Sequence, residues 1–154
     1  MKSAMKGMFA LRTALDLFHK LSRDLERLRA NPDDSDAAFD FFVTAEHIPE
    51  WMDPPTIELR KREVILQIVS HVANGAKHFR VSDKRHQSVT SADRRGGYFP
   101  GNYFGKRYFG GRYFGGAGLV LDLEGEAAIM FGPSITVLGL AEKVHHYWET
   151  TLGA

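Results

Sequence analysis

Apolar residues recur at helical spacing in the first third of the chain. Leu11, Leu15, Phe18, Leu21, Leu25 and Leu28 follow one another at three- and four-residue steps, with Asp16, Lys20, Arg23, Asp24 and Arg27 between them. This pattern predicts an amphipathic helix. Asn31-Pro32-Asp33-Asp34 should end it near Ala30, because the residue before a proline is held away from the helical region and a turn follows. Ser35 or Asp36 then caps a second helix, on which Phe39, Phe42 and Val43 share a face with Glu46 beside them. Pro49 interrupts that pattern before Trp51 rejoins it, which predicts a tight extra turn. After Asp53-Pro54-Pro55, Thr56 is the expected N-cap of a long third helix. Its core face is Val64 or Ile65, Ile68, Val69, Val72 and Ala76, and Gly75 is its weak point.

Beyond Phe79 the periodicity changes. Gln87-Ser88-Val89-Thr90 alternates, and Leu119-Val120-Leu121-Asp122-Leu123 reads as a strand. Glu124-Gly125-Glu126 signals a turn, so Ala127 to Phe131 is expected to return as the second strand of a hairpin. Gly132-Pro133-Ser134 then opens a final helix with Val137, Leu138, Ala141, Val144 and Trp148 on one side. The predicted fold class is α+β: a three-helix body, a long aromatic-glycine loop, a β-hairpin or small antiparallel sheet, and a C-terminal helix. One domain is expected over 1–154, with a helical part at 1–79, a polar basic connection at 80–95, the loop at 96–116, and hairpin plus helix at 117–154.

The composition fits that reading. Of 154 residues 44% are hydrophobic and 25% charged, as in a soluble globular domain. With no cysteine, disulfides, thiolate metal sites and cysteine nucleophiles are excluded. The best apolar stretch, Val64 to Ala73, is broken by Gln67, Ser70 and His71 and falls well short of the ~20 residues of a membrane span. Arg12 and Asp16 interrupt the apolar core a signal peptide would need, so a cytoplasmic setting, or a virion, is expected. The formal net charge of +1 conceals a segregation. Lys77, Arg80, Lys84, Arg85, Arg94, Arg95, Lys106, Arg107 and Arg112 face only Asp83 and Asp93 across 76–116, and both flanks are acidic.

Within that basic stretch lies an internal repeat. From Gly97 the chain reads GYFPG NYFGK RYFGG RYFGG, placing Tyr98-Phe99, Tyr103-Phe104, Tyr108-Phe109 and Tyr113-Phe114 at a period of five. Five matches neither 3.6 nor 2, and the interspersed glycines disfavour helix. In an extended backbone an odd period sends aromatics to both faces, so something must cover them. A pentapeptide solenoid does not fit: its inward positions would hold Arg107 and Arg112, and four repeats make too few rungs for a core. Tyrosine and phenylalanine beside arginine are what protein interfaces favour. The eight aromatics, with Arg107 and Arg112, are therefore the candidate partner-binding residues, and a homo-oligomer or larger protein assembly is the expected partner. Arg94, Arg95, Lys106, Arg107 and Arg112 also give the segment an RGG-like character, which makes nucleic acid a second candidate partner.

Histidine spacing argues against a metal centre. His71 and His78 stand seven apart on the predicted third helix, ~10 Å along its axis. The adjacent His145 and His146 diverge around theirs, and no HExxH or phosphate-binding glycine loop is present. No metal and no cofactor are expected.

Two resemblances add to this reading. FFVTAEHIPEW at 41–51, SHVANGAKHF at 70–79 and VHHYW at 144–148, with the YFG repeats, resemble an uncharacterised bacterial and prophage-associated protein family over most of residues 37–150. That resemblance implies no particular reaction. The helical half is more loosely similar to HEPN domains, small helical bundles that cleave RNA with an arginine followed by four to six residues and a histidine. His78 departs from the motif, because Ala73, Val72 and His71 stand where its arginine would be. Formal matches occur only at Arg12 to His19, on the opening helix, and at Arg80 to His86. A non-enzymatic structural or interaction protein, self-associating through the repeat, is therefore the expected function. The alternative is a HEPN-like RNA-binding protein or ribonuclease toxin, with His78 and His71 as its catalytic candidates.

Overall fold

The computed structural model describes residues 4–78, 86–95 and 118–154. Among them are six helices: α1 (Ala14–Ala30), α2 (Ser35–Trp51), α3 (Leu59–Arg62), α4 (Val64–His78), α5 (Gly125–Phe131) and α6 (Val137–Leu152). Three strands, β1 (Val89–Arg95), β2 (Gly118–Leu123) and β3 (Ser134–Thr136), form one antiparallel sheet in the order β1-β2-β3.

The helix starts are set by side-chain caps. Thr13 Oγ1 accepts from the Asp16 N–H at 3.1 Å while Asp16 Oδ2 accepts from the Thr13 N–H at 3.0 Å, a reciprocal box that begins α1 at Ala14. Leu11, which the apolar spacing assigns to this helix, lies ahead of the cap and bridges Met8. Asp34, not Ser35 or Asp36, caps α2 by accepting from the Asp36 and Ala37 N–H groups. Thr136 caps α6 through the Gly139 N–H at 3.0 Å, and Gly153 ends that helix in the left-handed region at φ 71°.

Helix α2 packs against α1, α4 and α6 and is buried around much of its circumference. Phe41, Phe42, Ala45 and Ile48 join Leu21, Leu25 and Leu28 of α1, Ile68 and Val69 of α4, and Leu140, Val144 and Trp148 of α6 in the core. Leu121 and Leu123 of β2 point into the same core. A helix buried on several sides loses the single apolar stripe of a surface helix. That is why Phe41 and Ala45 are buried although they lie off the face that Phe39, Phe42 and Val43 mark in the sequence.

The general α+β class, with a small sheet and a C-terminal helix, is as the sequence predicts. The three-helix body is not. The expected long third helix is broken: α3 ends at Arg62, the backbone of Glu63 is extended, and α4 starts at the next residue. Thr56 caps neither; its hydroxyl donates to Met52 Sδ. Pro49 lies inside α2, which continues to Trp51 without a separate turn. Ala127 to Phe131 belongs to helix α5, so the expected hairpin between 119–123 and 127–131 does not form. Ala, Glu and Met favour helix there, and Gly132, at φ 93°, ends it. The pairing groups of β2 are taken instead by β3, through Leu121↔Ile135, and by β1, through Ala92↔Leu121. Ser134 is a strand residue, so the last helix opens at Val137.

The register of β1 and β2 ends in the pair Arg95↔Gly118. The repeat at 96–116 lies outside the described residues, yet its two attachment points sit side by side on one ladder. Lengthening a loop between fixed ends costs little. Replacing residues 96–117 by a two-residue Asn-Gly turn should therefore leave the helical circular dichroism and a single cooperative unfolding transition in place. Loss of cooperativity would show that the segment belongs to the core.

Candidate functional site

Two clefts flank α4. The first is apolar and lies where β1 and β2 end. It has a volume of about 570 Å³ and runs between the start of α2, the last turns of α4 and the two strands. Phe39, Phe42, Val72, Ala76, Leu119 and Val120 line it, with Arg94 at the rim. Phe39 is 45% exposed and Ala76 is exposed. Both therefore belong to the cleft wall and not, as their spacing predicts, to the core.

The predicted partner-binding aromatics Tyr98, Phe99, Tyr103, Phe104, Tyr108, Phe109, Tyr113 and Phe114 lie outside the described residues, as do Lys106, Arg107 and Arg112. Arg94 is described, and its guanidinium pairs with Asp33 Oδ2 at 2.6 Å, tying β1 to the loop before α2. Arg95 closes the ladder opposite Gly118.

The second cleft, also of about 570 Å³, is polar and lies on the α2–α4 side near α3. Its floor is Glu46, only 8% exposed. Arg60 reaches it from α3, with Nε 3.1 Å from Glu46 Oε1, while Nη2 donates to the Glu46 carbonyl and lies 3.3 Å from Glu50 Oε1. Ser70 Oγ donates to Glu46 Oε1 at 3.1 Å, and Asn74 Nδ2 donates back to the Ser70 carbonyl at 2.8 Å. Burial pushes the Glu46 carboxyl above its ordinary range, and Arg60 and Ser70 offset this only in part. Burial also works to raise Glu50, but the hydrogen bond from His47 and the contact with Arg60 outweigh it and hold Glu50 below its usual range. Lys61, Lys77 and His86 complete the wall. Sequence reasoning missed this network. Its one visible sign was a glutamate next to an apolar helix face.

The catalytic candidates are placed apart. His78 ends α4 and is exposed. His71 is half-buried, and its Nδ1 accepts from the Ser88 and Val89 N–H groups at 3.2 and 3.1 Å, pinning the start of β1 to α4. Its ring centroid lies 5.3 Å from that of His86. Burial, then the charge of His86, lowers the His71 pKa. Of the formal HEPN matches, Arg80 lies outside the described residues, and Arg12 Nε donates to the Phe9 carbonyl ahead of α1 while His19 is exposed. His145 packs on Phe18 with Nε2 2.9 Å from Ser22 Oγ. No group of three or more metal-ligating side chains occurs among the described residues. No helix among them is long and apolar enough to cross a membrane. Neither a known family pattern, nor a curated protein sequence, nor a solved structure matches this chain.

Two pH-dependent outcomes follow from this geometry. Protonating His71 at Nδ1 would break both of its backbone hydrogen bonds. Its folded pKa lies below the unfolded value of about 6.5, so its stabilising contribution is present above that value and is lost as pH falls through the folded pKa. The Ser88 and Val89 amides should lose hydrogen-exchange protection on acidification; His71→Asn, which retains an acceptor, should keep it, and His71→Ala should lack it at every pH. Glu46 has the opposite sign: a raised carboxyl pKa means that stability declines as pH rises from the unfolded pKa, about 4.3, through the folded one. Urea titrations should therefore show Glu46→Gln gaining on the wild type between pH 4 and 7. A constant difference between the two would contradict the burial argument.

Proposed function

We propose that this chain is a non-enzymatic interaction module that self-associates through its Tyr-Phe-Gly repeat. The observation that carries the reading is the register Arg95↔Gly118, which roots both ends of the repeat at adjacent positions on a packed sheet. The segment therefore leaves and re-enters the described fold at one place instead of linking separate parts of it. The aromatic content supplies the adhesive area: each phenylalanine buried at a contact contributes roughly 1.5–3 kcal/mol. The resemblance to prophage-associated chains is consistent with a place in a larger assembly, in the cytoplasm or in a virion. The ribonuclease alternative has less support, because the Nδ1 of His71 is occupied by two backbone N–H groups and His78 stands apart from it at the end of α4. Nucleic-acid binding through Arg94, Arg95, Lys106, Arg107 and Arg112 also has less, since Arg94 already neutralises Asp33.

Light scattering on the purified chain should give a mass above one protomer. Changing Phe99, Phe104, Phe109 and Phe114 to serine should disperse the assembly. Changing the five basic residues to glutamine should leave it largely intact while flattening the salt dependence of any nucleic-acid binding. A wild-type chain that stays monomeric at high concentration, or an assembly dispersed by the glutamine set and not by the serine set, would overturn the reading.

A further inference from the structure

The apolar cleft at the foot of the β1–β2 ladder has walls built for burial and nothing among the described residues filling it. Val72 and Ala76 continue the apolar stripe that Ile68 and Val69 carry into the core, one turn further along α4. Phe39 is in phase with Phe42 on α2. Yet Val72 is half-buried, and Phe39 and Ala76 are exposed. Leu119 and Val120 of β2 also line this space. Two helical stripes and a strand thus extend past the core into an open cleft.

We infer that this cleft is the socket for a Tyr-Phe pair from the repeat of a second copy of the chain, an inference that rests on the self-association proposed above. The position of the segment supports it: the repeat departs at Arg95 and returns at Gly118, one residue beyond the Arg94↔Leu119 pair at the mouth of the cleft. The amount of aromatic surface decides between the chain's own cleft and a neighbour's. Aromatic side chains bury about 150–250 Å² each, so the four Tyr-Phe pairs carry on the order of 1,200 Å² or more. One cleft of about 570 Å³ cannot take them all. At no more than ~3.5 Å per residue, Tyr103 to Phe109 can reach ~25 Å from the root, far enough to meet another molecule. Each copy is then donor at its repeat and acceptor at its cleft. Such a contact closes as a twofold dimer where it is reciprocated, each repeat in the other copy's cleft, and generates rings or open chains where it is not.

Two full-length variants test this. The first carries Phe39→Ser and Ala76→Arg, both at exposed positions, and keeps its repeat; the second carries Phe99, Phe104, Phe109 and Phe114→Ser and keeps its cleft. Each alone should scatter as a single chain of 17.3 kDa. An equimolar mixture should give at least twice that mass, because one partner can only donate and the other only accept. Ala76→Arg alone, in the last turn of α4, serves where the double variant unfolds. A cleft variant that assembles like the wild type, while the serine variant does not, overturns the socket and leaves repeat-to-repeat association standing. A mixture that stays at single-chain mass also overturns it. A monomeric wild type removes the self-association reading, and the socket with it.

Discussion

The burial of α2 on more than one side is the constraint from which most of this structure follows. A helix packed against α1, α4 and α6 has no face wide enough to keep all its polar residues in water, so Thr44 and Glu46, which are buried, must find partners within the protein. Thr44 donates to Asp24 Oδ2 at 3.2 Å and accepts from Lys20 Nζ at 3.0 Å, while Lys20 holds the same carboxylate at 2.6 Å. Glu46, further along, is paired with Arg60, which α3 supplies. Helix α3 stops at Arg62 and α4 starts at Val64, and Arg60 reaches both Glu46 and Glu50. A continuous helix from Thr56 is what local spacing predicts; the break at Glu63 accompanies the contact of Arg60 with Glu46 and Glu50.

The outer pairings follow a different logic. Arg29 grips Glu142 with two hydrogen bonds of 2.7 and 2.6 Å, joining the end of α1 to α6 and holding the Glu142 carboxyl below its usual range. Both partners are about two-fifths exposed, so this fork fixes the approach of two helices more than it stabilises them. Arg94 and Asp33 do the same for the sheet. Together with His71 they attach β1 to the helical body at both ends, by a charge near the repeat and by two backbone hydrogen bonds at the start of the strand. A hairpin carrying a long insertion needs such fastening, because a ladder of this length alone is marginally stable in water.

How much of this was legible in the sequence depended on whether local or tertiary forces decided each element. The end of α1 at Ala30 and the burial of Phe18, Leu21, Leu25 and Leu28 were legible, since a proline turn and a three-to-four spacing are local signals. Val137, Ala141, Val144 and Trp148 of the last helix were legible for the same reason. The identity of the β-partners was not. Ala127 to Phe131 and Ser134 to Thr136 are both short enough to read either way, and only the docking of β2 on the core selects the second as the strand. The polar cleft was hidden because Arg60, Ser70 and Glu46 are far apart in sequence and become one network only when α2, α3 and α4 meet.

The repeat is the opposite case: conspicuous in sequence and governed by its attachment. Gly-rich aromatic pentads dispersed through a chain would disturb every element they interrupt. Confined between two paired strand ends, they leave the helical core intact, because the pair Arg95↔Gly118 closes the ladder whatever the length beyond it. The same confinement concentrates charge. In the sequence the basic residues are concentrated in 76–116, between two stretches that are net acidic. Under the self-association proposed above, copies would meet unlike charge between insert and flank and like charge between inserts. On that proposal, aromatic area must outweigh the second effect for assembly to proceed. Burial of apolar area is non-directional, so on that proposal the specificity of the contact would lie in the shape of the receiving surface.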